Sequence, residues 1–115
     1  MSMNHLHING ERTPLRIREA VRWWSRAVGL LATPALDDPC GLWIRPCNSV
    51  HTVGMRYPID VIFVNKDGTI AKVVDRLPPW RAAGCRKAKS TLELRAGLAQ
   101  ALGLKPGMAV ALQAH

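Results

Sequence analysis

No run in this chain reaches the roughly eighteen consecutive apolar residues that a membrane-spanning helix needs. No membrane span is therefore expected. The first twenty residues carry His5, His7, Glu11, Arg12, Arg16, Arg18 and Glu19 and hold no apolar core segment, so no secretory leader is expected there. Cysteine is scarce. The three residues, at 40, 47 and 85, are odd in number and form no C-x-x-C pair, which argues against a disulfide framework and for a reducing compartment, the cytoplasm. Acidic residues are few, eight against sixteen Lys and Arg, which leaves a net charge of +8. That balance suits a basic protein surface, an acidic partner or nucleic acid. Nucleic acid is permitted rather than favoured. Aromatics are too sparse to alternate with cations as a stacking platform, and no helix-turn-helix, zinc-finger or RNA-binding signature is present. Glycine-rich phosphate loops and a nucleophile elbow are missing too, which removes the most familiar enzyme classes.

What is present is a globular composition. The chain has 115 residues, 48% hydrophobic and 21% charged. That is one domain, 1–115, able to bury roughly two-thirds of its unfolded surface without staples. Residues 5–9 and 15–19 alternate polar and apolar around Asn9-Gly10 and read as a hairpin, with Leu15 and Ile17 inward and a connection from Asn9 to Pro14. From Ala20 to Leu31 the period becomes helical, through Val21, Trp24, Val28 and Leu31. Residues 35–40 read as a loop and 41–45 as a strand. Residues 59–65 form an almost unbroken apolar run, a strand with both faces buried. Lys66-Asp67-Gly68 turns it into a return strand, 69–75. Two prolines make 77–81 a rigid loop, followed by a basic loop, 82–90. A strand at 91–94, a helical turn at 96–102 and a closing strand at 108–112 complete the chain. The fold class is mainly β: a compact, mostly antiparallel sandwich or barrel with one or two short helices.

Several blocks together carry a family resemblance. They are Arg26 to Leu31, Cys47-Asn-Ser-Val-His-Thr-Val-Gly-Met-Arg56, Pro58-Ile-Asp-Val-Ile-Phe-Val-Asn-Lys-Asp-Gly68, Leu92 to Gly97 and Leu104-Lys-Pro-Gly107. Over residues 15–112 the chain resembles DUF192, an uncharacterised prokaryotic family. The resemblance implies a compact β-sandwich or barrel and no assigned activity. Two positions depart from the family pattern: Met108 stands where an Asp usually follows the Gly, and Arg95 stands where Pro is common.

The chemistry is concentrated in the fourteen residues from Cys47 to Asp60. Asp60 enters an apolar strand, and a buried carboxylate needs partners. Backbone N–H groups, Arg56 or Arg26 could supply them. A general base or a ligand-binding carboxylate is the functional alternative. Cys47 and His51 are two soft ligands, too few for zinc, and no metal or cofactor is expected. A Cys47–His51–Asp60 nucleophilic triad would give a small hydrolase, a reading that only geometry can decide. The leading expectation is a non-enzymatic binding or accessory domain. Its polar rim would comprise His51, Thr52, Arg56 and Asp60, with Trp80 and Arg81 nearby, and would address a small anionic ligand or a protein partner.

Overall fold

The computed structural model describes residues 2–21 and 41–113. The expected helix at 20–31 and loop at 35–40 lie outside them, apart from residues 20 and 21, which belong to a strand.

The first hairpin joins β1 (Ser2–Ile8) to β2 (Glu11–Val21). Its connection is shorter than expected. Asn9 and Gly10 take positive φ, 50° and 84°, the geometry of a two-residue turn whose twist matches the strands. Pro14 sits inside β2 rather than in the connection. The register slips between His5 and His7, so Thr13, Pro14 and Leu15 stand opposite Leu6 alone. The Thr13 hydroxyl donates to the Leu6 carbonyl at 2.7 Å and accepts the Leu15 N–H at 3.2 Å. A proline is tolerated in such a bulge because no ladder donor is required of it.

The remaining strands are β3 (Gly41–Arg45), β4 (Ser49–His51), β5 (Ile59–Val64), β6 (Ile70–Leu77), β7 (Ala82–Gly84), β8 (Ser90–Arg95) and β9 (Val110–Gln113). Among the described residues, one short helix, α1 (Leu98–Ala101), lies between β8 and β9. Seven strands form one sheet in the order β6-β5-β8-β3-β2-β1-β9, and β4 pairs with β7 as a separate ribbon. The pairing is antiparallel except between β2 and β3. The sheet is mostly antiparallel, as expected, and is not closed into a barrel. Its edge strands approach at one end, where Thr69 bridges Ala109 and the Ile70 N–H donates to the Met108 carbonyl at 2.8 Å.

Every residue of β5 is buried. Ile59, Val61 and Phe63 enter one apolar cluster with Leu42, Ile44, Val50 and Met55. Ile62 and Val64 enter a second with Leu6, Ile17, Trp43, Leu92 and Ala99. The two clusters occupy the two faces of the sheet, because side chains alternate along a strand. The β4–β7 ribbon covers the first face through Val50 and Ala83. The stretch expected to be a basic loop thus contains a strand, since Ala82 to Gly84 find a partner in Ser49 to His51.

Candidate functional site

The end of β6 and the loop that joins it to β7 are held by polar groups from the Cys47–Asp60 segment. Arg76, the penultimate residue of β6, and Trp80, in the loop itself, adopt left-handed φ of 49° and 62°. Side chains of this kind pay a conformational cost there, so the surroundings must impose the shape. Pro78 and Pro79 stiffen the turn between them.

Thr52 holds the far end. It is fully buried. Its hydroxyl donates to the Pro78 carbonyl at 2.6 Å and accepts the Arg81 N–H at 2.9 Å. Its own N–H donates to the Arg81 carbonyl at 2.8 Å, and its carbonyl accepts the Trp80 N–H at 3.0 Å. A threonine thus satisfies main-chain groups that the two prolines and the strained residues leave without ladder partners.

Asp60 holds the near end. It lies on the opposite face of β5 from Ile59 and Val61, and it is fully buried. One carboxylate oxygen accepts the Arg76 N–H at 2.8 Å. The other accepts the N–H groups of Gly97 at 2.9 Å and Ala99 at 2.8 Å, fixing the start of α1. Burying a bare carboxylate costs several kcal/mol. Hydrogen bonds to a charged acceptor contribute about 1.5–3 kcal/mol each, so three offset that cost. Among the partners expected for Asp60, the backbone donors are the ones found. Arg56 is exposed, and Arg26 lies outside the described residues.

The clamped loop presents Trp80, 64% exposed, with Arg81 beside it; one Arg81 guanidinium nitrogen donates to the Trp80 carbonyl at 3.3 Å. His51, exposed, stands opposite Ala82 in the β4–β7 ribbon. Val53, 52% exposed, follows Thr52. The structure therefore brings His51, Thr52, Trp80 and Arg81 together. It places Thr52 and Asp60 beneath the surface as supports. The part played by Arg76, through its backbone N–H, had no signal in the sequence.

Cys47, 3% exposed, donates its thiol to the Ser49 carbonyl at 3.1 Å. No hydrogen bond joins Cys47, His51 and Asp60 among the described residues. Nor do those residues hold a group of three or more His, Cys, Asp or Glu placed to bind a metal ion. Two groups near the site or its hairpin titrate abnormally. Burial, helped by the buried carboxylate of Glu93, raises the Tyr57 phenol above its ordinary range. The Asp67 carboxyl falls below its ordinary range because the Thr69 hydroxyl and N–H, at 2.6 and 3.0 Å, favour the charged form.

The DUF192 family, described as "Uncharacterized ACR", matches residues 4–112, and the chain belongs to it. The match extends eleven residues further toward the N-terminus than the resemblance read from the motif blocks, which began at residue 15. Two solved structures share the fold. One is a protein of unknown function from Novosphingobium aromaticivorans DSM 12444, 24% identical, with a TM-score of 0.81 over 95% of this chain and 84% of that one. The other, from Sinorhizobium meliloti 1021 and described as a "putative transcription regulator", is 21% identical, with a TM-score of 0.82 over 96% of this chain and 94% of that one. No curated protein matches the sequence. No described helix is long and apolar enough to cross a membrane.

Proposed function

We propose that this chain is a small non-enzymatic binding domain of the cytoplasm whose contact face is the clamped loop. Trp80 is the anchor, Arg81 and Arg56 supply positive charge, and His51 and Val53 complete the rim. Thr52 and Asp60 act from beneath by fixing the loop. The partner is a protein with an acidic surface. Tryptophan and arginine are the side chains that most often dominate protein interfaces, and a pre-shaped loop loses little entropy on binding. The carrying observation is that Trp80 is 64% exposed while the backbone under it is held in a strained conformation. The free thiols of Cys47 and Cys85 fit a reducing compartment.

The test is quantitative affinity capture with the wild type and the Trp80→Ala–Arg81→Ala variant, after equal thermal stability is verified. An acidic protein retained by the first and lost from the second supports the reading. Identical retained sets overturn it. The net charge of +8 and the description of the Sinorhizobium meliloti structure make duplex DNA a useful control. DNA affinity that falls steeply with salt and ignores both substitutions would mean charge-driven binding elsewhere on the surface.

A further inference from the structure

A second feature lies away from this loop. A cavity of about 590 Å³ opens between the start of the β5–β6 turn, the end of β3 and β9. That volume falls within the range of small-molecule sites, roughly 300–1,000 Å³. Its walls are of two kinds. Trp43, Val64 and Val110, all buried, supply an apolar floor. Arg45, Lys66 and Lys89 supply cations. Arg45 is paired with Glu19, which also lines the cavity. The two lysines have no carboxylate partner among the described residues, so the uncompensated charge at the mouth is positive.

Trp43 adds an independent observation. It is only 6% exposed, and its indole N–H is enclosed with no hydrogen-bond partner among the described residues. Buried donors are almost always satisfied, and an exception calls for an acceptor that the described residues do not provide. An indole N–H can only donate, so the missing group is an acceptor oxygen or its equivalent.

We propose that this cavity binds an organic anion with an apolar body, a carboxylate being the simplest case. The body lies against Trp43, Val64 and Val110. The charged end sits toward Lys66 and Lys89, whose exposed ammonium groups attract it, and supplies the acceptor that the Trp43 N–H lacks. A uniformly polar anion would leave the floor unused, and an uncharged hydrocarbon would leave the lysines unanswered. The site is independent of the Trp80 surface, and neither proposal needs the other. Sequence reading passed over Trp43 because a tryptophan inside an apolar strand looks like core, and over Lys66 and Lys89 because they lie in a turn and a basic run.

The experiment is a titration of the full chain with octanoate at low salt, followed through the indole N–H signals in a ¹H–¹⁵N spectrum. Loss of one signal in Trp43→Phe assigns it. The expected result is a saturable, single-site shift of the Trp43 signal at millimolar octanoate or below. Lys66→Glu–Lys89→Glu should weaken binding about tenfold or more at low salt, with a smaller effect at high salt. Both lysines are exposed, so the fold should survive; Lys66→Gln–Lys89→Gln, expected to weaken binding less, supplies a second reading if it does not. An unmoved Trp43 signal, or an affinity indifferent to both lysine variants, overturns the proposal.

Discussion

Thr52 and Arg81 bond to each other in both directions: the Thr52 N–H donates to the Arg81 carbonyl at 2.8 Å, and the Arg81 N–H donates to the Thr52 hydroxyl at 2.9 Å. The exchange resembles one rung of a β-ladder with a side chain standing in for a carbonyl. It lets the chain leave β6, turn through two prolines and rejoin the ribbon at β7 with the Pro78 and Arg81 carbonyls and the Trp80 and Arg81 N–H groups satisfied.

Replacing Thr52 with valine keeps the shape and removes that hydroxyl. The Arg81 N–H then loses its acceptor, and a buried unsatisfied donor costs about 1–3 kcal/mol. Urea unfolding should show a lower midpoint with an unchanged slope. Thr52→Ser, which restores the oxygen, should recover most of the loss. Equal stability of the valine and serine variants would contradict this account.

Asp60→Asn should be more severe than its near-identical shape suggests. A carboxylate accepts three N–H groups here, whereas an amide turns one end into a donor facing donors. The expected loss is about 3 kcal/mol or more. Hydrogen exchange should speed up first at Arg76, Gly97 and Ala99. Protection retained at those three amides would show that other contacts hold the loop and α1.

Gly41 is required by space. A methyl group there would collide with the Glu93 carbonyl oxygen on the neighbouring strand and come within 2.7 Å of a Leu94 side-chain carbon. The first obstacle is backbone, so β3 and β8 must separate to admit it. Gly41→Ala should destabilise by about 1–3 kcal/mol, the usual range for overpacking, read as a fall in the unfolding midpoint.

Tyr57 is the only tyrosine, so tyrosinate absorbance reports it alone. Its ionisation midpoint in the folded protein should lie above the ordinary 10.0. The sign follows from linkage. Above pH 10.0 the unfolded chain loses its proton before the folded one, so this residue's contribution to stability is intact below that pH and is lost as pH rises through the folded value. Glu93→Gln should lower the midpoint only in part, because burial is the larger cause. A midpoint at or below the ordinary value would remove this description of the Tyr57 environment.

Much of the architecture is legible because it is written in local pattern. The almost unbroken apolar run at 59–65 announces a strand covered on both faces, and Asn9-Gly10 announces a hairpin. Other features depend on residues far apart. Ala82 to Gly84 carry no strand signature and become a strand only because Ser49 to His51 lie alongside. Pro14 looks like a strand end, yet the Thr13 hydroxyl repairs the ladder around it. For Asp60, burial and the need for partners follow from its apolar neighbours. The partners themselves are main-chain groups sixteen to thirty-nine residues away, and a backbone donor has no residue type to betray it. The same limit separates the rim residues from their supports. Trp80 beside two prolines reads as display, while Thr52 reads like any polar residue near a turn.

The position of β8 bears on how the chain is made. It lies between β3 and β5 and pairs with both, yet it follows them in sequence by some thirty to fifty residues. While the chain emerges from the ribosome, β3 and β5 each wait with an unpaired, largely apolar edge until residues 90–95 arrive. Such edges invite association between nascent chains. The middle of this sheet is therefore among the last parts to be supplied, and substitutions that slow the insertion of β8 should reduce soluble yield during expression even where the finished protein is as stable as before.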